Sequence, residues 1–449
     1  MYKIRIYVRV IGKFILFYVN KGEKGMFDYS HLPMQEILCI DMRSFYASCS
    51  CVMLNLDPLE THLAVVGSLK HPGSVILAAT PSLKREFGIK TASRSYEIPA
   101  DNRIHLVEPA MYTYLRISSE ISRVFSRYAP KKNIYIYSVD EAFVCLDGTQ
   151  KLFGSAEEAA KKIIDEIMRE FGLACCVGIG PNMLLSKIAL DVDAKKTTGT
   201  KIARWTYEDV PKKLWPISPL REMWGIGGQM QKHLNELGIQ SVGDLANYDL
   251  KKLEKRFGVM GKQLYHHAWG IDFSEIGGTV QPRSHSIGNG QMLMRDFYKK
   301  DEIKVAILEM CEEVARRARK RGVAGRTISL GLNYSKKSTH KGFYRSKTID
   351  HVTCVTIDIY EVCLELLEQF HVDGMAVRKI QIRIGNCEPD AGVYQLDLFN
   401  QKRYKHRDVG FTMDLIRERY GKNALLRAVS MTENATAKRR NALIGGHRA

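Results

Sequence analysis

From residue 36 onward the chain alternates short unbroken apolar runs with longer stretches in which apolar positions recur every three or four residues. The first pattern fits buried strands and the second amphipathic helices. The run Ile37-Leu38-Cys39-Ile40 ends at Asp41, and a helix-like segment carrying Phe45 and Tyr46 leads away from it. The stretch Asn133 to Leu146 repeats the arrangement, with strands over 134–137 and 142–146 flanking Ser138-Val139-Asp140-Glu141. Helical periodicity covers 111–128 and 156–171, and a strand over 174–179 is followed by a turn at Gly178-Ile179-Gly180 and a helix holding Lys187. This alternation predicts an α+β sheet domain with acidic groups on one face.

Near Lys195 to Gly199 the pattern turns polar, and short helices follow to about Trp269. Among them Gly225-Ile226-Gly227 separates two helical segments, and Phe257-Gly258-Val259-Met260-Gly261 is a looser copy. Gln281-Pro282-Arg283-Ser284 reads as a linker. Beyond it the order is strand (285–294), helix (303–321), strand (327–334), strand (342–349), helix (353–370) and strand (377–385). A β-α-β-β-α-β order fits a separate split β-α-β domain.

Composition narrows the partners. The formal charge is +18 over 449 residues, on a chain that is 45% hydrophobic and 26% charged. This excludes disorder throughout and favours a polyanion. The surplus lies mainly in residues 284–389 and in a basic tail containing Lys438-Arg439-Arg440, so a salt-dependent, sequence-independent grip is expected there. The ten cysteines sit mostly in apolar strings and form no C-x-x-C pair, which predicts a reducing cytoplasmic location. Residues 4–19 are apolar but broken by Arg5, Arg9 and Lys13, too short a run to span a membrane.

Three carboxylates at strand ends, Asp41, Asp140 and Glu141, would repel one another unless hard cations neutralised them, and oxygen-only ligands suit Mg²⁺. Two such ions can serve an in-line phosphoryl displacement. Isolated turn carboxylates are the plainer explanation of the same residues. Lys84-Arg85 and Lys187 are cations able to meet phosphate oxygens. The Gly225/Gly227 hairpin can present backbone N–H groups to a phosphate without reading sequence.

Ordered along the chain, Cys39-Ile40-Asp41-Met42-Arg43-Ser44-Phe45-Tyr46-Ala47-Ser48, Tyr137-Ser138-Val139-Asp140-Glu141-Ala142-Phe143, and Gly178-Ile179-Gly180 with Ser186-Lys187-Ile188-Ala189 form a recognisable set. Over residues 34–399 the chain resembles the Y-family translesion DNA polymerases, in particular the UmuC-like branch of Gram-positive bacteria. The resemblance implies a multidomain α+β right-hand polymerase: palm 26–50 and 110–206, fingers 51–109, a helix-hairpin-helix thumb with linker 207–283, and a little finger 284–389. It implies that Asp41, Asp140, Glu141 and the backbone carbonyl of Met42 hold two Mg²⁺ ions. Tyr46 would be the steric gate against ribose, with Phe45 beside it. Arg85 and Lys187 would contact the triphosphate, and Gly225, Gly227, Lys336, Lys337 and Arg345 the DNA. Two positions depart from the pattern: Arg43 stands where many members carry a second Asp, and Ser82 where archaeal relatives carry a triphosphate-binding tyrosine.

Gln395-Leu396-Asp397-Leu398-Phe399 is similar to the pentapeptide that bacterial polymerases insert into the sliding clamp, and Gln395, Leu396, Leu398 and Phe399 are the expected contacts. The implied activity is error-prone, template-directed DNA synthesis past damaged bases by a monomer, with primed DNA, dNTPs and the clamp as partners and room for accessory subunits. A non-catalytic, clamp-associated DNA-binding regulator with a polymerase fold is the alternative. Residues 1–25 precede everything the resemblance covers, so they read as an upstream extension and Met26 as the start.

Overall fold

The computed structural model describes residues 3–10, 13–20, 27–71, 73–197, 201–277, 285–335, 338–390 and 401–448. The chain divides into two compact units, 1–279 with 448–449, and 280–447.

The first unit opens with β1 (Lys3–Val10) and β2 (Lys13–Asn20), a hairpin whose strands pair with each other. Then come β3 (Ile37–Met42), α1 (Phe45–Met53), β4 (His62–Val66), β5 (Ile76–Ala79), α2 (Pro81–Phe87), β6 (Ile104–Val107) and α3 (Met111–Tyr128). They are followed by β7 (Ile134–Ile136), β8 (Glu141–Cys145), α4 (Gln150–Phe153), α5 (Ala156–Phe171), β9 (Cys175–Gly180), α6 (Met183–Ala189) and β10 (Ile202–Arg204). Strand order β10-β9-β3-β8-β7 makes the main sheet, and β5-β4-β6 a smaller one. Strand β3 is central and Ile37 to Ile40 are all buried. A strand covered on both faces needs a continuous apolar run, which is what the sequence supplies.

Local chemistry sets the ends. Ser155 and Glu158 form a reciprocal capping box that starts α5, and Gly172 at φ 65° ends it. The glycine pair expected to turn lies instead inside β9. A Cβ on Gly178 would come within 2.1 Å of the Ser186 carbonyl oxygen, and one on Gly180 within 2.5 Å of the Ser186 nitrogen. These glycines let α6 lie directly on the strand. Four helices complete the unit: α7 (Gly228–Asn235), α8 (Val242–Asn247), α9 (Leu250–Phe257) and α10 (Val259–Ala268). They enclose a core that includes Leu234, Leu253, Leu264 and Trp269.

The second unit contains β11 (His285–Phe297), α11 (Lys300–Lys320), β12 (Val323–Tyr334), β13 (Gly342–Thr353), α12 (Thr356–Phe370) and β14 (Val377–Pro389). The sheet order β11-β14-β12-β13 places β14 between the two strands joined by α11. That is a split β-α-β arrangement.

The basic tail, expected to add a sequence-independent grip, is folded. Helix α13 (Gln401–Tyr420) and the segment after it lie against α11. Arg417 and Arg427 donate to the Glu312 carboxylate at 2.9 and 2.8 Å, and Arg319 donates to Asp414 at 2.7 Å. Thr436 donates its N–H and its hydroxyl to Glu309 at 2.8 and 2.7 Å. Arg440 donates to Gln291 at 3.0 Å, while Lys438 and Arg439 remain exposed. Two of the tail's arginines, Arg417 and Arg427, thus neutralise a carboxylate of their own unit, and a tail carboxylate, Asp414, neutralises Arg319 of α11.

Candidate active site

Sheet register gathers the acidic residues. Asp41, near the end of β3, is paired directly across the ladder with Glu141, the first residue of β8. The Met42 N–H donates to the Asp140 carbonyl at 2.9 Å, which ties the Asp140-Glu141 step to the same strand end. Two separate segments therefore bring Asp41 and Glu141 side by side at one strand end, with Asp140 the residue before Glu141.

Each has its own partner in this structure. Lys195 Nζ lies 3.2 Å from Asp41 Oδ2, and Lys187 Nζ lies 2.7 Å from Glu141 Oε1. Cys39 donates its thiol to the same Glu141 oxygen at 3.2 Å, and Ser138 donates its hydroxyl to Asp140 Oδ1 at 2.7 Å. Asp191 bridges the two lysines, 3.0 Å from Lys187 and 2.9 Å from Lys195. Among the described residues no three His, Cys, Asp or Glu side chains converge tightly enough to enclose a metal ion. Ammonium groups pair with Asp41 and Glu141 instead, each also bridging to Asp191. The donors that would face a cation are oxygens throughout, on adjoining strand ends, a set that fits a hard divalent ion once the lysines give way.

Burial sets the electrostatics. It raises the Asp41 carboxyl to about 6 despite the opposing pull of Lys195. Burial works against the charge on Lys187, but its bond to Glu141 and the field of Asp191 outweigh this and hold the ammonium above its ordinary value. Burial, with the Glu141 charge beside it, drives the Cys39 thiol far up, so Cys39 stays a protonated donor.

Tyr46 lies on α1 with its ring stacked on Tyr114 of α3, centroids 4.8 Å apart. Phe45 is buried, its ring centroid 5.9 Å from that of Tyr46, so it backs that ring rather than facing solvent. On α2 the predicted Arg85 is exposed, while its neighbour Lys84 donates to the Ser44 hydroxyl at 2.8 Å. Burial and then repulsion from Arg43 lower the Lys84 ammonium, whereas Asp41 supports it. Of the pair Lys84-Arg85 named from the sequence, it is Lys84 that faces the carboxylate side, which sequence alone does not tell for a short helix; Lys195 escapes the sequence reading because a π turn places it.

In the helical part, Gly225 adopts φ 93° and Gly227 caps α7. Neither Gly227 nor Gly228 has an atom within 4 Å of where a Cβ would stand, and both residues are exposed. Gly258 caps α10 at φ 60° in the second copy. Arg345 is exposed on β13 beside the Phe370 ring, at 5.2 Å. Lys336, Lys337 and the peptide from Gln395 to Phe399 lie outside the described residues.

Comparison with known proteins gives concordant results. Residues 40–191 match the impB/mucB/samB family, residues 284–398 its C-terminal domain, and residues 221–272 the DNA polymerase-iota thumb domain. UvrX of Bacillus subtilis (strain 168), a candidate UV-damage repair protein by its name, is 52% identical over 424 residues, covering 94% of this chain and 100% of that protein. DNA polymerase IV 2 of the same organism is 38% identical over 413 residues, covering 92% and 98%. Among solved structures, a Y-family DNA polymerase chimera of Dbh and Dpo4 superposes with a TM-score of 0.61 at 21% identity, covering 78% of this chain and 98% of that one.

Proposed function

Because the chain belongs to the Y-family translesion DNA polymerases of the impB/mucB/samB type, with their right-hand polymerase fold, we propose that it copies damaged DNA templates with low fidelity. The observation that carries this reading is the direct pairing of Asp41 with Glu141, with Asp140 tied to the same strand end. On this reading β3, β7–β10, α3 and α5 form the palm, the β4–β6 sheet with α2 the fingers, α7–α10 the thumb, and residues 284–389 the little finger.

Asp41, Asp140, Glu141 and the Met42 carbonyl would hold two Mg²⁺ ions. Such ions lower the pKa of an attacking hydroxyl and neutralise charge on the leaving phosphates. The protein's own contribution is positioning. Tyr46, fixed by Tyr114, closes the space a ribose 2′-hydroxyl would need. Lys187, Arg85 and Lys84 meet the triphosphate, and the primer 3′-hydroxyl is held in line with the α-phosphate so that pyrophosphate leaves. The Gly225/Gly227 turn and Arg345 grip the DNA backbone, and the peptide at Gln395–Phe399 engages the sliding clamp. Among the described residues no helix is long and apolar enough to cross a membrane, in keeping with work on DNA in the cytoplasm.

Primer extension across a template with one defined lesion, with and without clamp, tests the reading. Incorporation opposite the lesion supports it. A protein that binds the primed template but adds no nucleotide to damaged or undamaged DNA is instead the regulator of the alternative.

A further inference from the structure

We propose that Lys195 is a built-in counter-ion that holds the Asp41 carboxylate until nucleotide and divalent cation arrive together, so that cation loading depends on the nucleotide. The inference rests on reading Asp41 as a cation ligand.

The chain places this lysine by a local irregularity. Residues Leu190–Ala194 form a π turn after α6, and the Lys195 N–H reaches back five residues to the Leu190 carbonyl at 3.0 Å. Single π turns recur at functional positions because the extra residue re-aims the side chains beyond it. Here Asp191 meets Lys187 four residues before it and Lys195 four residues after, and Lys195 lands on Asp41.

The two lysines differ in freedom. The Lys187 side chain is 8% exposed and pinned on Glu141, whereas Lys195 is 35% exposed. A flexible, strongly hydrated ammonium at a solvent edge can swing. An Asp41 oxygen engaged by that ammonium must exchange it before accepting a divalent ion. A free cation offers Lys195 no new partner, but a triphosphate does. The nucleotide would draw Lys195 from Asp41 and open the ligand, and by linkage each partner would then tighten the other by the same factor.

Mn²⁺ binding without nucleotide, followed by electron paramagnetic resonance of the free ion, tests this in the full-length protein. Lys195→Ala should bind Mn²⁺ alone roughly fivefold or more tightly than wild type, the low end of ordinary site coupling. Lys195→Arg should stay close to wild type, and Lys195→Gln serves if the alanine variant does not fold. The gain should vanish in an Asp41→Ala/Lys195→Ala double variant. If the alanine and glutamine variants bind no more tightly than wild type, the counter-ion role is wrong, and the cation-ligand reading of Asp41 still stands if Asp41→Ala abolishes primer extension. A gain that survives the Asp41 substitution overturns both, because the ion then binds elsewhere.

Discussion

The Tyr46 and Tyr114 rings stack at 4.8 Å with only 15° between their planes, and the Tyr114 hydroxyl lies 2.6 Å from Ser50 Oγ, one helical turn beyond Tyr46 on α1. Tyr114 is fully buried, so it is a fixed wall behind the proposed gate. Tyr46→Ala should therefore lower discrimination against ribonucleotides by roughly 10–200-fold, the range for removing one shape-defining contact. Tyr114→Phe keeps the stack, worth about 0.5–1.5 kcal/mol, and should retain most of the selectivity. The ratio of kcat/KM for a dNTP and its rNTP measures both.

Gly178 and Gly180 separate packing from chemistry. Gly178→Ala forces a methyl group against backbone and should cost about 1–3 kcal/mol by overpacking. Because α6 carries Lys187, the displacement should also raise the KM for dNTP. Thermal melting and steady-state kinetics on one preparation report the two effects.

Removing the Glu312 carboxylate should release the tail. Its partners Arg417 and Arg427 converge on it, and the Arg417 side chain is only 8% exposed. Stranding a buried charge costs about 3–5 kcal/mol. Glu312→Ala should make α13 and the segment after it sensitive to limited proteolysis, whereas substitution of the exposed Lys438 should not.

Acid should weaken the helical part of the first unit. Burial, helped by repulsion from Lys262 and His267, holds the His266 imidazole down to about 4, against an ordinary value of 6.5. Between these values the unfolded chain takes up a proton that the folded one refuses. Stability is therefore full above pH 6.5 and falls progressively toward pH 4, by about 3 kcal/mol at most. All four tryptophans lie between Trp205 and Trp269, so their fluorescence reports this region in denaturant titrations. A His266→Phe protein should lose most of the pH slope.

Much of this architecture is legible in the sequence where one physical signal dominates. The amphipathic helices at Met111–Tyr128 and Ala156–Phe171 match the predicted spans because their periodicity is unbroken. The β-α-β-β-α-β order of the second unit is equally plain. Strands β4 and β6 escape the pattern because they are only five and four residues long, too short for a strand periodicity to stand out. Gly178 and Gly180 read as a turn because close helix-on-strand packing and chain reversal both call for glycine. The folded tail is hidden because its anchors are arginines and carboxylates, which in sequence look like a solvated surface. At the site, the three carboxylates are legible as a set. Lys84 is legible only as one of the pair Lys84-Arg85, since a helix face decides between them, and Lys195 is not legible at all, since its placement depends on a π turn.

The most direct test of the central claim is single-nucleotide addition to a primed template in Mg²⁺, comparing wild type with Asp41→Ala, Asp140→Ala and Glu141→Ala under matched DNA binding. Wild type should extend the primer by the templated base. Each variant should lose about 100-fold or more in rate, the scale for removing an electrostatic contribution made in the transition state. Variants that bind DNA equally well and extend it as fast as wild type would contradict the claim.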